Sequence, residues 1–366
     1  MKRTLACTIL AMFLQATEKP IKIHTSHSST SSPVPNLFII TIDGFRWQEL
    51  FTGADSTLIN NEKLVANTTL IKEMYWASTA SERRRKLMPF FWSVLAAKGQ
   101  VYGNRNFNNK VNVSNIYSRS YAGYNEMFTG EADIMIASNN KQNNPNKNVL
   151  EYLNELPEYA GRVVAFTSWD VFPYILNKQR SRLKINSGYE NMEDDDSLQT
   201  LVNKVENEAV YNKTETRQDE LTFIAAKEYI SKFQPSIVYL SLGETDEAAH
   251  HGKYDLYLEK AAHIDHMLQE LWYWVQSTPG YKDNTTFIIT TDHGRGRAPG
   301  KWSNHGTLIS GSAQTWLALI GPNIKPIGEM KNEEQIYQKQ IAQTVATLVG
   351  QQFRTGESVA PAIALR

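Results

Sequence analysis

The stretch that most constrains this chain is residues 285–294, TTFIITTDHG, a run of β-branched and aromatic residues closed by Asp292-His293-Gly294. Such a run has the composition of a buried strand. A strand that ends in a carboxylate and an imidazole puts both where open α/β sheets bind their ligands, which makes it a candidate metal site. Residues 36–44, NLFIITIDG, repeat the arrangement and end in Asp43-Gly44. Taken singly, either aspartate could be a turn former or a helix N-cap. Two such strands lying side by side would bring Asp43 and Asp292 together, and the rest of the chain must then supply further ligands.

Composition limits what those ligands can be. The only cysteine is Cys7, so the body of the protein can hold no intramolecular disulfide, no cysteine zinc site and no cysteine nucleophile. Metal ligands must come from His, Asp and Glu. Lys plus Arg and Asp plus Glu both number 38, so no overall basic field exists to attract a nucleic-acid duplex or an anionic membrane. With 41% hydrophobic residues over 366 positions, the chain can build one large α/β core.

Residues 1–16 have a charged start (Met1-Lys2-Arg3) and a short apolar run, the pattern of a secretory signal peptide. The run is too short to span a bilayer as a mature helix. Export to a periplasm or to the outside is expected, with no transmembrane anchor left. Residues 17–35, rich in Ser, Thr and Pro, read as a linker or N-terminal arm; His24 and His27 lie there with nothing near to fix them as ligands. One domain is expected over 36–353, with a polar insertion near 177–216 that includes the acidic 193–196, and a C-terminal tail over 354–366.

Within the domain, strands are expected near 161–170, 235–243 and 315–322, and helices near 88–98, 149–156, 221–233, 254–276 and 335–350. Leu256, Leu268 and Leu271 are expected to pack the long helix. Residues 81–87, SERRRKL, are a solvated charge run. Alternating strands and helices predict a three-layer α/β/α sandwich with a mostly parallel central sheet covered on both faces.

After the 235–243 strand the chain reads GETDEAAHHGKYD. Asp246 and His250 are four apart, so on a helix both face the same way, a spacing that suits two ligands of one ion as well as a surface ion pair. His305, in KWSNHGT, is a glycine-flanked loop histidine that completes the count. The six residues sort into Asp43, Asp292 and His293 around one ion, and Asp246, His250 and His305 around another. Three N/O ligands with an open position describe a catalytic site rather than a structural one, and two ions about 4 Å apart can clamp the attacking and leaving oxygens of an in-line displacement. His251 should point to another face of its helix, and His263 and His266 are surface or packing residues. In residues 114–130, SNIYSRSYAGYNEMFTG, a serine at a helix N-terminus is either a cap or a nucleophile whose alkoxide is favoured by the helix end and an adjacent ion.

The ordered set IDG, SYAGYNEMFTG, TDEAAH, TDHG and NHG resembles the alkaline phosphatase superfamily, and within it the type I phosphodiesterase/nucleotide pyrophosphatase branch and its bacterial phosphatase relatives, over about residues 36–350. The resemblance puts the family's metal pockets on the same two groups of three residues and implies two divalent ions. The mixed His/Asp ligands favour zinc or a similar transition ion. It puts the nucleophile on Ser120, which keeps the distance to Thr129-Gly130, ahead of Ser118 and Ser114. The family's oxygen-binding asparagine falls on Asn139 or Asn140. The implied reaction is attack of Ser120 on phosphorus and hydrolysis of the resulting phosphoserine, with a small-molecule phosphoester as partner.

Sulfatases of the same fold need a C/S-x-P-x-R motif, whereas Ser120 is followed by Tyr121-Ala122-Gly123-Tyr124. A monoester dianion asks for cations beyond the two metals. Where bacterial monoesterases of this type place Lys and Arg, this chain reads FTSWDVFPYI and offers Trp169, Phe172 and Tyr174. With Tyr121 these suit an apolar or base-stacking group, and hence a diester or nucleotide. Arg119, Arg295, Arg297 and Lys301 keep a monoesterase open. A binding protein that has lost catalysis is the non-enzyme alternative; the retained Ser120 and the filled ligand set argue against it.

Overall fold

The computed structural model describes residues 34–192, 197–356 and 358–366, with side chains absent from the description between 193 and 200. The signal peptide, Cys7, His24, His27, nearly all of the 17–35 arm and the acidic 193–196 lie outside the described residues.

Among the described residues, eight strands form the main sheet. In chain order they are β1 (Asn36–Ile42), β2 (Gln100–Tyr102), β4 (Val163–Thr167), β5 (Lys184–Ser187), β6 (Ile237–Leu242), β7 (Thr285–Thr290), β9 (Leu317–Ile320) and β10 (Gly328–Glu329), and across the sheet the order is β10-β2-β9-β7-β1-β6-β4-β5. The run from β7 to β5 is parallel throughout, while β9 is antiparallel to both β7 and β2. A second sheet, which the sequence reading did not anticipate, joins β3 (Asn109–Asn112), β8 (Gln314–Thr315) and β11 (Glu334–Tyr337) in the order β11-β3-β8.

Strand β1 is buried along its whole length, and its side chains alternate between two cores. Phe38, Ile40 and Ile42 pack with helices Asp219–Phe233 and Tyr254–Ser277 on one face. Leu37 and Ile39 pack with helices Ser120–Thr129, Val149–Glu155 and Gln340–Leu348 on the other. The result is the expected three-layer α/β/α sandwich. A strand sandwiched between two helical layers must be apolar on both sides, which is why β1, β6 and β7 read as continuous rather than alternating runs.

Three local expectations differ from the structure. Residues 335–350 are not one helix: Ile336 is buried between the exposed Gln335 and Tyr337, a period-two pattern that makes β11, and the helix begins only at Gln340. On the long helix Leu256 faces solvent and Leu258 takes its place in the core beside Leu268 and Leu271. Residues 177–216 are not all surface insertion, since β5 pairs with β4 at the sheet edge and the Arg217–Glu206 ion pair beside it is buried. The tail folds back onto the domain: Ile363 is buried, its N–H donates to Thr344 Oγ1 at 2.9 Å, and the Ala360 N–H donates to the Gly130 carbonyl at 3.1 Å.

Candidate metal centre and nucleophile

Strands β6, β1 and β7 are neighbours and run parallel, so their C-terminal ends open on one edge of the sheet. Asp43 follows β1, Asp292 and His293 follow β7, and β6 leads through Gly243 into helix Glu244–His250, which carries Asp246 and His250 one turn apart. Backbone contacts lock these ends together: the Asp43 N–H donates to Leu242 O at 2.9 Å, Thr245 Oγ1 donates to Asp43 O at 2.6 Å, and the Gly44 N–H donates to Asp292 Oδ1 at 3.1 Å. Gly44 adopts φ +59°, and a Cβ there would come within 2.5 Å of Asp246 Oδ1. Its glycine is therefore required by both backbone conformation and space.

The structure brings all six expected ligands together in the expected groups. Asp43, Asp292 and His293 form one cluster and Asp246, His250 and His305 the other, with candidate ligand atoms within 4.8 Å of one another in each. His293 Nε2 lies 3.3 Å from Asp292 Oδ2, 3.5 Å from Asp43 Oδ1 and 3.8 Å from Asp246 Oδ1, so the clusters adjoin. His250 Nε2 lies 3.0 Å from Asp246 Oδ2 and 3.1 Å from His305 Nε2. The Nδ1 of His293 is 3.0 Å from the Gly294 carbonyl and that of His305 is 3.0 Å from the Ser118 carbonyl. Each Nδ1 must carry its proton to donate there, which leaves both Nε2 lone pairs facing the cluster.

A cation fits this arrangement. Asp43 Oδ1 and Asp292 Oδ2 are buried without a hydrogen-bond partner, and a buried unpaired carboxylate is costly unless a positive charge meets it. Arg295, itself buried, is ion-paired with Asp246. In the metal-free protein burial pushes the Asp43 carboxyl well up, with Asp292 and Asp246 adding to the effect. Burial and then Asp246 push Asp292 up to about 7. Asp246 is held well below the usual carboxylate range, because Arg295 and His250 outweigh its burial. Burial drops His293 to about 4, and burial with His293 nearby drops His305 to about 3. Neutral imidazoles beside carboxylates, with Arg295 paired to one of them, suit a metal ion.

Ser120 opens helix Ser120–Thr129 and is almost fully buried, and its Oγ lies 3.2 Å from His293 Nε2. The helix can approach this closely because a Cβ on Gly123 would meet the Asp292 carbonyl at 2.4 Å. One turn on from Ser120, Tyr124 donates its hydroxyl to Asp43 Oδ2 at 3.0 Å. Tyr124 was not among the expected site residues, although its i,i+4 spacing from Ser120 places it on the same face. A second unexpected group is Glu126, which accepts from the N–H groups of Ser114 and Asn115 and from the Asn115 side chain at 2.6–2.9 Å. Asn115 Oδ1 in turn accepts from Ser118 N–H at 2.8 Å, and Ser118, at φ +46°, presents its carbonyl to His305.

The residues expected around the substrate divide. Asn139 lines the cleft with Ser120, and its Oδ1 accepts from the Tyr121 N–H at 3.1 Å. Asn140 lines a separate pocket beyond Tyr121. Trp169 lines the cleft, whereas Phe172 is wholly buried behind it, edge-on to Trp169 at 6.3 Å. Tyr121 is buried with its hydroxyl donated to the Gln142 and Tyr174 carbonyls, away from the cleft. Among the described residues that line this cleft of about 410 Å³ none is Lys or Arg, and Arg295 reaches it only through its ion pair with Asp246. His251 sits on the outer face of its helix beside Glu247, and His263 pairs with Glu220 at the surface.

Residues 183–307, which include five of the six ligand positions (Asp246, His250, Asp292, His293 and His305), match the Metalloenzyme superfamily. Among solved structures, the alkaline phosphatase PafA is 11% identical with a TM-score of 0.60, covering 90% of this chain and 99% of that one. The chain has an alkaline phosphatase-like fold. The lipoteichoic acid synthase LtaP from Listeria monocytogenes (13% identity, TM-score 0.54, 89% of this chain and 74% of that one) and a 2-O GAG sulfatase (10%, 0.54, 90% and 73%) share that fold. No curated protein matches the sequence. Asp43 and Ser120 lie outside the matched segment, yet the alkaline phosphatase-like sheet brings them into the same site.

Proposed function

We propose that this protein hydrolyses phosphoric esters through a phosphoserine on Ser120, at a centre that takes two divalent metal ions, and that it prefers phosphodiesters or nucleotides. The observation that carries the reading is Ser120 Oγ at 3.2 Å from His293 Nε2, in the corner where the two ligand clusters adjoin. Asp43, Asp292 and His293 would hold one ion, and Asp246, His250 and His305 the other; zinc suits this mixture of imidazole and carboxylate. When bound, such ions polarise phosphoryl oxygens and stabilise the attacking and leaving oxygens.

The chain's own residues do the rest. Ser120 Oγ forms the bond to phosphorus as the bond to the leaving alcohol breaks, and the alcohol departs with a proton. Water then cleaves the phosphoserine and restores the Ser120 hydroxyl. Tyr124, whose hydroxyl is held protonated by burial and by Asp292 and Asp43, keeps Asp43 oriented. Asn139 fixes the first turn of the nucleophile helix and faces the cleft.

The cleft's lack of Lys and Arg supports the diester, since a monoester dianion would need a further cation. A sulfatase reading fits less well, because Ser120 has neither the proline nor the arginine of that motif after it. Residues 1–16 support export to a periplasm or the outside. Among the described residues no helix is long and apolar enough to cross a membrane.

The test is hydrolysis of an aryl phosphate diester and an aryl phosphate monoester by the zinc-reconstituted protein. A clear preference for the diester is expected. A clear preference for the monoester would overturn the substrate assignment, and turnover of neither would overturn the activity.

A further inference from the structure

Beyond the metal ligands, Ser120 and Asn139, the cleft has a wall of its own. Trp169 pairs with Thr216 in an antiparallel bridge, and the Asp170 N–H donates to the Glu215 carbonyl at 3.0 Å, which seats residues 214–216 beside the indole. Gly243 leaves room for that segment at the end of β6, where a Cβ would meet Thr216 Cγ2 at 2.8 Å. Glu247, the residue after Asp246, also lines the cleft. Apart from the ligand clusters, the charged residues that line the cleft are thus Glu215 and Glu247, both acidic. Lys141, the nearby base, is bound to Asp170 at 2.8 Å and does not line it.

This wall is the wrong chemistry for a second anion. It is the right chemistry for a cation, which is attracted to an indole face and to carboxylates at once. Resting on the phosphodiesterase reading above, we infer that this part of the cleft binds an ammonium group on one ester arm of the substrate, over Trp169 and between Glu215 and Glu247. The preferred substrates are then zwitterionic phosphodiesters, with the phosphoryl anion at the two ligand clusters and an alkylammonium alcohol against the wall. A nucleotide with further phosphates would set its extra charge against Glu215 and Glu247, and a neutral ester arm would offer the indole and these carboxylates no positive charge to meet.

The experiment compares p-nitrophenyl phosphocholine, methyl p-nitrophenyl phosphate and the p-nitrophenyl ester of thymidine 5′-phosphate on the zinc-loaded protein. The choline ester is expected to exceed the methyl ester about tenfold or more in kcat/KM, and Trp169→Ala and Glu215→Gln each to cut that ratio to about twofold or less. Equal kcat/KM for the choline and methyl esters, a ratio that survives both substitutions, or a thymidine ester faster than the choline ester would each overturn the inference. Calorimetric titration of the zinc-loaded protein with tetramethylammonium chloride, against sodium chloride at equal ionic strength, judges the cation pocket without turnover. Saturable binding lost in Trp169→Ala supports it, and no binding overturns it. Absence of hydrolysis of all three esters, with tetramethylammonium still bound, would sink the phosphodiesterase reading and leave the cation pocket standing.

Discussion

The site turns on small contacts between residues that are not themselves ligands. Tyr124 is the clearest case, because Asp43 Oδ1 has no partner and Oδ2 has the tyrosine hydroxyl. Groups that orient a ligand typically contribute about 10–100-fold in metal affinity. Tyr124→Phe is therefore expected to weaken zinc binding at the Asp43/Asp292/His293 cluster by that order while leaving the second cluster near its wild-type affinity, as a two-phase zinc titration would read. Protonation gives a second prediction. In the metal-free protein Asp292 sits at about 7, against an ordinary carboxyl near 3.8. A carboxyl raised in the folded state stabilises the metal-free fold below the unfolded value and loses that contribution as pH rises through about 7. Zinc needs the carboxylate, so its binding gains over the same window. The rise in Tm on zinc loading should accordingly be larger at pH 8 than at pH 5. His293 and His305, at about 4 and about 3, are already neutral at both and do not reverse the sign.

These residues also show what can be read from a sequence. Five of the candidate ligands were legible because Asp43, Asp292 and His293 close apolar strands and Asp246 and His250 follow one at helical spacing, where a polar group has few structural duties. His305 sits in a loop and was reached by completing the count. Tyr121, Trp169 and Phe172 were not separable in the same way. All are aromatic and near the site, but only Trp169 lines the cleft, because aromatics next to a cavity and aromatics that pack behind it obey the same hydrophobic rule. Glu126 and Asn115 gave no signal, since their partners are backbone N–H groups set by a loop conformation.

At the scale of elements, helix Glu244–His250 depends on a cap supplied from elsewhere. Its N-cap is Gly243, which has no side chain to offer, and Asp219 accepts from the Gly243 and Glu244 N–H groups at 2.8 and 3.0 Å instead. Glu244 returns the favour by accepting from the Asp219 N–H at 2.8 Å, so the starts of two helices are tied together. Asp219→Ala should cost about 2 kcal/mol of stability. It should also lower zinc affinity at the Asp246/His250/His305 cluster about tenfold, with the other cluster little changed. Equal loss at both clusters would mean that Asp219 supports the whole sheet edge and not this helix. The same scale explains why the 335–350 stretch was misread: Ile336 alone is buried among exposed neighbours, and four residues of alternation are too few to outweigh the helical pattern that follows.

For the whole molecule, a mostly parallel sheet was legible as strands alternating with helices, while its strand order, the edge strand β5 and the three-stranded sheet β11-β3-β8 were not, because β5 and the strands of the second sheet are segments of two to four residues set in polar stretches of the chain. The C-terminal segment closes the side of the sandwich beside helix Ser120–Thr129. The Ala360 N–H donates to Gly130 O just after that helix, Ile363 is buried, and Gln100 donates its side-chain N–H to the Arg366 carbonyl at 2.8 Å. Deleting residues 358–366 is expected to destabilise the fold by about 2 kcal/mol or more, seen as a lowered Tm, with the ratio of diester to monoester turnover unchanged because the segment does not line the cleft.

The central claim is that the two clusters hold metal for a reaction at Ser120. It is tested most directly by turnover of an aryl phosphodiester by Ser120→Ala and wild type, with zinc content measured on the same samples. The account predicts two zinc ions per chain in both and a fall in turnover of about a thousandfold or more in the variant. Full turnover by Ser120→Ala, or a wild-type protein that is active without retaining zinc or any other metal, would contradict it.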